Sequence, residues 1–166
     1  MNKAAVAKLK SFALVAPISG TAVALSAAAD PLISQGLLGV GVVIEPVGSR
    51  VVAPCDGTVT SIAATGHQLT ITHKYGVVIT LVIGYDGLSG HGLGYVKKIQ
   101  CGDQVSQGQV LIELDTLKLK KQLLSLNVVT LISKGALKMV PKFGIKRAGE
   151  DPILTLVIKA PIKETS

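Results

Sequence analysis

The run Ala16-Pro17-Ile18-Ser19-Gly20-Thr21 recurs 37 residues later as Ala53-Pro54-Cys55-Asp56-Gly57-Thr58. Proline fixes one turn position and glycine supplies the other, so each A-P-x-x-G builds a tight corner between strands. A third punctuated run, Gly102-Asp103-Gln104-Val105-Ser106-Gln107-Gly108-Gln109-Val110-Leu111, sets two turns around an exposed strand residue at fixed steps. Between these lie short apolar runs: Val40 to Glu45, Thr58 to Ala63, Gln68 to Thr72, Val77 to Ile83, Val128 to Ile132 and Leu154 to Lys159. Short strands at close spacing with Gly, Pro and Asp between them predict an all-β sandwich or barrel.

Repeated corners and the G-D-x-V-x-x-G run together point to a barrel-sandwich hybrid, a β-sandwich whose quasi-symmetric halves interlock. One or two short helices fit within it. Thr116 to Leu124 is amphipathic and lysine-rich, and Asp30-Pro31 opens a loop or single helical turn within 27–38. The chain has 166 residues, enough for one domain with its own core. That core must be aliphatic, because 48% of residues are apolar but only 3% aromatic.

The formal charge of +7 suits an acidic partner, an anionic membrane surface or nucleic acid. The lysines are scattered and no aromatic platform stands among them, which argues against nucleic acid. Cys55 and Cys101 have no metal-ligand or C-x-x-C spacing and read as reduced thiols of a cytoplasmic protein.

Residues 1–12 form a short basic segment. Val6, Leu9 and Phe12 fall at helical spacing between lysines, the pattern of an amphipathic helix in weak contact with anionic lipid; a frayed tail is the other reading. The segment resembles the start of a signal peptide, but the corner match assigns residues 16–23 to the folded domain. The expected organisation is a domain over 13–160 and a tail over 161–166, with no run long enough for a helix to span a membrane.

The stretch Gly66 to Leu88 reads as a β-hairpin turning at Lys74-Tyr75-Gly76. His67 opens its first strand, and the second strand is apolar apart from Thr80.

On these residues the chain resembles the glucose-type IIA proteins of the bacterial phosphoenolpyruvate-dependent sugar phosphotransferase system. The matching runs are APISG (16–20), GVGVVIEPVGSRVVAPCDGTV (39–59), TGHQL (65–69), YD followed by GHGLGYVKKIQCGDQVSQGQVLIELD (85–115), and the closing VVTLIS and PILTLVIK. The resemblance implies a phosphoryl relay without a metal or other cofactor, from a small histidine phosphocarrier protein to the IIB domain of a sugar permease. It also implies two histidines on adjacent strands. The supporting one corresponds to His67. The acceptor position, fifteen residues later, is Val82, with Gly84 and Asp86 in frame behind it. Valine has no atom that can take a phosphoryl group, so the resemblance implies a degenerate relay component or, alternatively, a non-catalytic regulatory or structural binding module. The partner-binding face would include Val40, where the family commonly has Asp, together with Asp86 and Leu88.

No other histidine fits the acceptor role directly. His73 is six residues from His67, about 20 Å along a strand. His91 stands in a Gly-His-Gly loop from which it can swing. Two other chemistries fail on residue grounds. The run Ile71-Thr72-His73-Lys74-Tyr75-Gly76 resembles a strand of LytM-type zinc peptidases, but Leu81-Val82-Ile83 lacks the H-x-H that a zinc site needs. Biotinyl and lipoyl carriers share the G-D-x-V-x-x-G run but need a modifiable lysine at a hairpin tip, and none fits.

Overall fold

The computed structural model describes residues 8–85 and 93–160. Fourteen strands and two short α-helices make up these residues. In chain order they are β1 (Lys8–Val15), β2 (Gly20–Ala24), α1 (Pro31–Ser34), β3 (Val40–Pro46), β4 (Arg50–Val52), β5 (Gly57–Ile62), β6 (Gln68–Thr72), β7 (Val78–Tyr85), β8 (Tyr95–Lys97), β9 (Gln104–Val105), β10 (Val110–Leu114), α2 (Thr116–Gln122), β11 (Ser125–Lys134), β12 (Lys138–Pro141), β13 (Gly144–Lys146) and β14 (Pro152–Ala160). The all-β sandwich expected from the sequence is the fold observed.

One eight-stranded antiparallel sheet runs β13-β2-β3-β11-β7-β6-β5-β9, and two three-stranded sheets run β1-β14-β12 and β4-β10-β8. The large sheet reads as a palindrome. Strand β11 stands to β3 and β2 as β7 stands to β6 and β5, and the register closes on Thr130 opposite Leu81.

The two A-P-x-x-G corners lock the halves together. Val15 N–H donates to the Pro54 carbonyl at 3.0 Å, and Val52 N–H returns the bond to Pro17 at 2.7 Å. Ala16 then bonds Asp151 and Gly149 as Ala53 bonds Gln109 and Gly108. Even the irregularities repeat: β1 slips register against β14 at Leu14/Val15, and β10 slips against β4 between Val110 and Ile112.

Alternation sends Val42, Ile44, Leu69, Ile71, Ile79, Leu81, Ile83, Val128 and Ile132 into the core, where they meet Leu14, Val51, Leu111, Ile112, Leu154, Leu156 and Ile158. Each such side chain contributes about 1.5–3 kcal/mol through burial, so an aliphatic core suffices without tryptophan. Cys55 is buried at its corner; burial first and the neighbouring Asp56 second push its thiol up to about 12. Both cysteines are free thiols.

Three expectations change. Residues 8–12 are strand, not helix: Lys8 pairs with Ala160 and the ladder continues to Val15. An unpaired β14 edge would leave a row of backbone donors and acceptors open, and the ladder satisfies them better than a short helix could. The fold therefore begins at least five residues before the expected boundary at 13; residues 1–7 and 161–166 lie outside the described residues. The helix at 116–124 ends at Gln122. Strand β13 has too few residues to show a period, and it forms by pairing with β2.

Candidate functional site

The β6–β7 hairpin closes through Gly76 N–H to the His73 carbonyl and His73 N–H to the Val77 carbonyl, at 2.8 and 2.9 Å. Its ladder runs from Thr72 opposite Val78 to Gln68 opposite Val82. One step further, Ile83 N–H donates to the His67 carbonyl at 2.7 Å. His67 and Val82 thus stand on neighbouring strands, one row apart. Gln68, not His67, is the direct cross-strand neighbour of Val82.

The His67 ring is half-buried and held on two sides. Thr65 Oγ1 is the hydrogen-bond partner of Nδ1. A hydroxyl there serves either tautomer, donating to a bare Nδ1 or accepting from a protonated one. The Tyr95 ring meets the imidazole edge-on, with centroids 6.4 Å apart and planes at 65°. The Tyr95 hydroxyl donates to the Ile83 carbonyl at 2.8 Å. The backbone N–H and C=O of one residue, Ile83, therefore tie together His67, Tyr95 and the end of β7.

Gly84 follows at φ 82°, a left-handed conformation that suits glycine. A side chain there would run into Leu123 Cδ1 and come within 3.1 Å of the Tyr95 hydroxyl. Thr65 and Tyr95 were not among the residues singled out from the sequence. Thr65 has a local signal, two residues before the histidine. Tyr95 has none, because β8 brings it in from 28 residues away.

Val82 lies on the outer face of the large sheet. Its row across five strands is Val23, Val43, Val129, Val82 and Gln68. Ile33 of α1 and Leu131 complete an apolar patch with Val43 and Val129, and Val82 packs against it half-buried. Helix α1 is set over this face by Asp30, whose carboxylate accepts from Leu32 N–H at 2.9 Å, with Pro31 in the first turn. A narrow cleft of about 20 Å³ separates Ala28, Asp30 and Ile33 from Val82, Tyr85 and Asn127. Apolar contact and shape are what this surface supplies; Val82 itself supplies no nucleophile.

Val40, half-exposed at the start of β3, pairs with Ile132. Its place is three rows from Val82, about 10 Å along the strands, and alternation turns it to the other side of the sheet. His73 is not near the Val82 row. It stacks on Phe12 at 4.6 Å and 18°, while Nδ1 accepts Tyr75 N–H at 3.2 Å, so it pins β1 to the hairpin turn. Burial first and the adjacent Lys74 second hold its imidazolium form below the usual histidine range. Asp86, Leu88 and His91 lie outside the described residues. Among the described residues no three His, Cys, Asp or Glu side chains gather as metal ligands. A hollow of about 530 Å³ is an open polar trough by Asp56, Thr58 and Thr72, remote from the His67 row.

The family model for the phosphoenolpyruvate-dependent sugar phosphotransferase system, EIIA 1, matches residues 12–136. The chain belongs to this EIIA family. A glucose-specific EIIA component of Haemophilus influenzae is 32% identical over 145 residues, covering 86% of this chain and 87% of that protein. A glucose-specific EIIBCA component of Corynebacterium glutamicum is 33% identical over 144 residues; there the match covers 87% of this chain but only 21% of the relative's length. The solved glucose permease IIA of Mycoplasma capricolum superposes with a TM-score of 0.82 at 26% identity, covering 88% of this chain and 96% of that one. The glucose permease IIA fold and the EIIA membership expected from the sequence are both upheld. No helix among the described residues is long and apolar enough to cross a membrane.

Proposed function

We propose that this chain is a IIA-type module of a sugar phosphotransferase system that docks on the system's proteins without itself carrying the phosphoryl group on β7. The observation that carries the reading is Val82, in the row beside His67 and in frame with Gly84. In the family's chemistry the transferred group is positioned by two imidazoles and stabilised by their hydrogen bonds, so most of the catalysis is placement. Here one imidazole stands in that place, braced by Thr65 and Tyr95. One row away on β7 is Val82, a hydrocarbon side chain that can neither attack phosphorus nor hold a phosphoryl ester or amide.

The rest of the site suits protein contact. The half-buried side chains of Val82 and Val23 face outward over the buried cluster of Ile33, Val43, Val129 and Leu131, an apolar rim on rigid strands, the kind of surface that carries interface energy. Its occupants would be the histidine phosphocarrier protein and the IIB domain of a sugar permease.

Titrating the isotope-labelled phosphocarrier with this chain tests the docking. The expected result is saturable shift changes that a Val82→Glu substitution weakens at least tenfold. Binding equal in wild type and variant, or none in either, would remove the valine row as the docking face.

A further inference from the structure

The surplus of positive charge has a definite location. From Thr116 to Gly149 the chain carries eight Lys and Arg and no Asp or Glu, against a total of +7. Two of these cations, Lys138 of β12 and Lys142 just after it, lie on or beside the outer face of the small sheet β1-β14-β12, where Lys159 of β14 joins them. Register and alternation put Leu9, Ser11 and Ala13 of β1 on this face, with Lys159, Val157 and Thr155 of β14 and Lys138 and Val140 of β12.

Large apolar side chains are open to solvent here: Leu9 at 63%, Val140 at 44% and Phe143, just past β12, at 52%. Lysines accompany them. Lys159 stands directly across from Leu9, Lys138 shares the face with Val140, and Lys142 precedes Phe143. The pseudo-equivalent sheet β4-β10-β8 is built otherwise. In place of Thr155 between Ala13 and Val140 it has Glu113 between Arg50 and Val96, and Glu113 also reaches Lys98 at 3.8 Å. There Glu113 offsets part of the positive charge; the β1-β14-β12 face has no carboxylate among the residues that its register places on it.

We infer that the outer face of β1-β14-β12, with Phe143 and Lys142 at its edge, docks on a lipid surface rich in anionic headgroups. Lysines whose hydrocarbon stems lie along apolar surface keep their ammonium groups at headgroup level while Leu9, Val140 and Phe143 enter the interface. A second copy of the chain would bring like charges together and is disfavoured. An acidic protein would satisfy the lysines but has no stated need for apolar residues interleaved with them. The inference does not depend on whether Val82 abolishes phosphoryl transfer.

The full chain is mixed with phosphatidylcholine vesicles with and without phosphatidylglycerol and sedimented. Binding is expected only with the anionic lipid, and it should fall as salt rises. Each lysine near an anionic surface contributes about 1 kcal/mol, so Lys138→Gln with Lys142→Gln should weaken binding roughly 30-fold. The same charge removed from α2, as Lys118→Gln with Lys120→Gln, should weaken it much less. Equal losses would show unspecific attraction to the whole cation and overturn the inference. So would unchanged binding of the Lys138/Lys142 variant, which places the contact on another surface.

The chain has no tryptophan, so Phe143→Trp gives a single reporter. A blue shift and quenching by brominated lipid are expected. A spectrum unmoved by vesicles that do bind the protein would contradict entry of this edge into the interface.

Discussion

The two halves of the large sheet share one backbone plan and differ in what they hold at its centre. Gly41 opposite Leu131 corresponds to Gln68 opposite Val82, and Val40 beside Ile132 corresponds to His67 beside Ile83. Only the β6–β7 half carries an imidazole, and only there do a threonine hydroxyl and an edge-on tyrosine hold it. The same strands with valine in that place make a plain sheet end. A duplicated frame is therefore cheap in this fold, and chemistry enters through a handful of side chains laid on it. Val82 has kept the frame of one half and has only the chemistry of the other.

The halves should break differently when the same residue is placed in each. A side chain at Gly41 would run into the carbonyl oxygen of Thr130, so Gly41→Val should cost at least about 3 kcal/mol in denaturant unfolding or prevent folding. Gln68→Val, at the corresponding outward position of β6, should change stability by under about 1 kcal/mol. Equal costs would mean that the close approach of β3 to β11 does not distinguish the halves.

The pair on the pseudo-twofold gives a second contrast. Leu81 is buried in hydrocarbon, while the Thr130 hydroxyl opposite is fully buried with no hydrogen-bond partner. Thr130→Val keeps the shape and removes the orphaned group, and should raise stability by about 1–2 kcal/mol. A fall on thermal or urea unfolding would show that the hydroxyl has a partner in solution.

Tyr95→Phe sharpens the account of His67. It deletes the bond to the Ile83 carbonyl and leaves the ring, so about 1 kcal/mol should be lost. Hydrogen exchange should speed up at the end of β7 and the His67 ring resonances should shift, while those of His73 stay in place. Equal shifts at both histidines would make Tyr95 a general packing residue.

The smallest effect is the acid limb of stability. His73 titrates below its usual value in the fold, so the unfolded chain takes up its proton first. Stability from this group is present above about pH 6.5 and declines as pH falls from there through the folded value. His73→Phe keeps the stack on Phe12 and should flatten that limb. An unchanged slope would assign it to carboxylates.

Much of this was legible in the residues. The repeated A-P-x-x-G corners announced interlocked halves, and the hydrogen bonds exchanged between Val15, Pro54, Val52 and Pro17 are how that repeat is realised. The hairpin followed from turn residues and strand period, and the family resemblance put positions 67 and 82 on its two strands. Tertiary partners hid the rest. Residues 8–12 fit a helical period and a strand period almost equally, and the open edge of β14 decides between them. Tyr95 reaches His67 from a different sheet, and Val40, adjacent to the site by motif, is three rows away by register. No local pattern encodes either.

The central claim is that β7 has lost its phosphoryl acceptor while the frame around it persists. Incubating the chain with phosphoenolpyruvate, the system's first kinase and the phosphocarrier, and then mapping acid-labile phosphate by mass spectrometry, tests this directly. The account predicts an unlabelled wild type and label on residue 82 of a Val82→His variant. Label on His67 or His91 of the wild-type chain would contradict it.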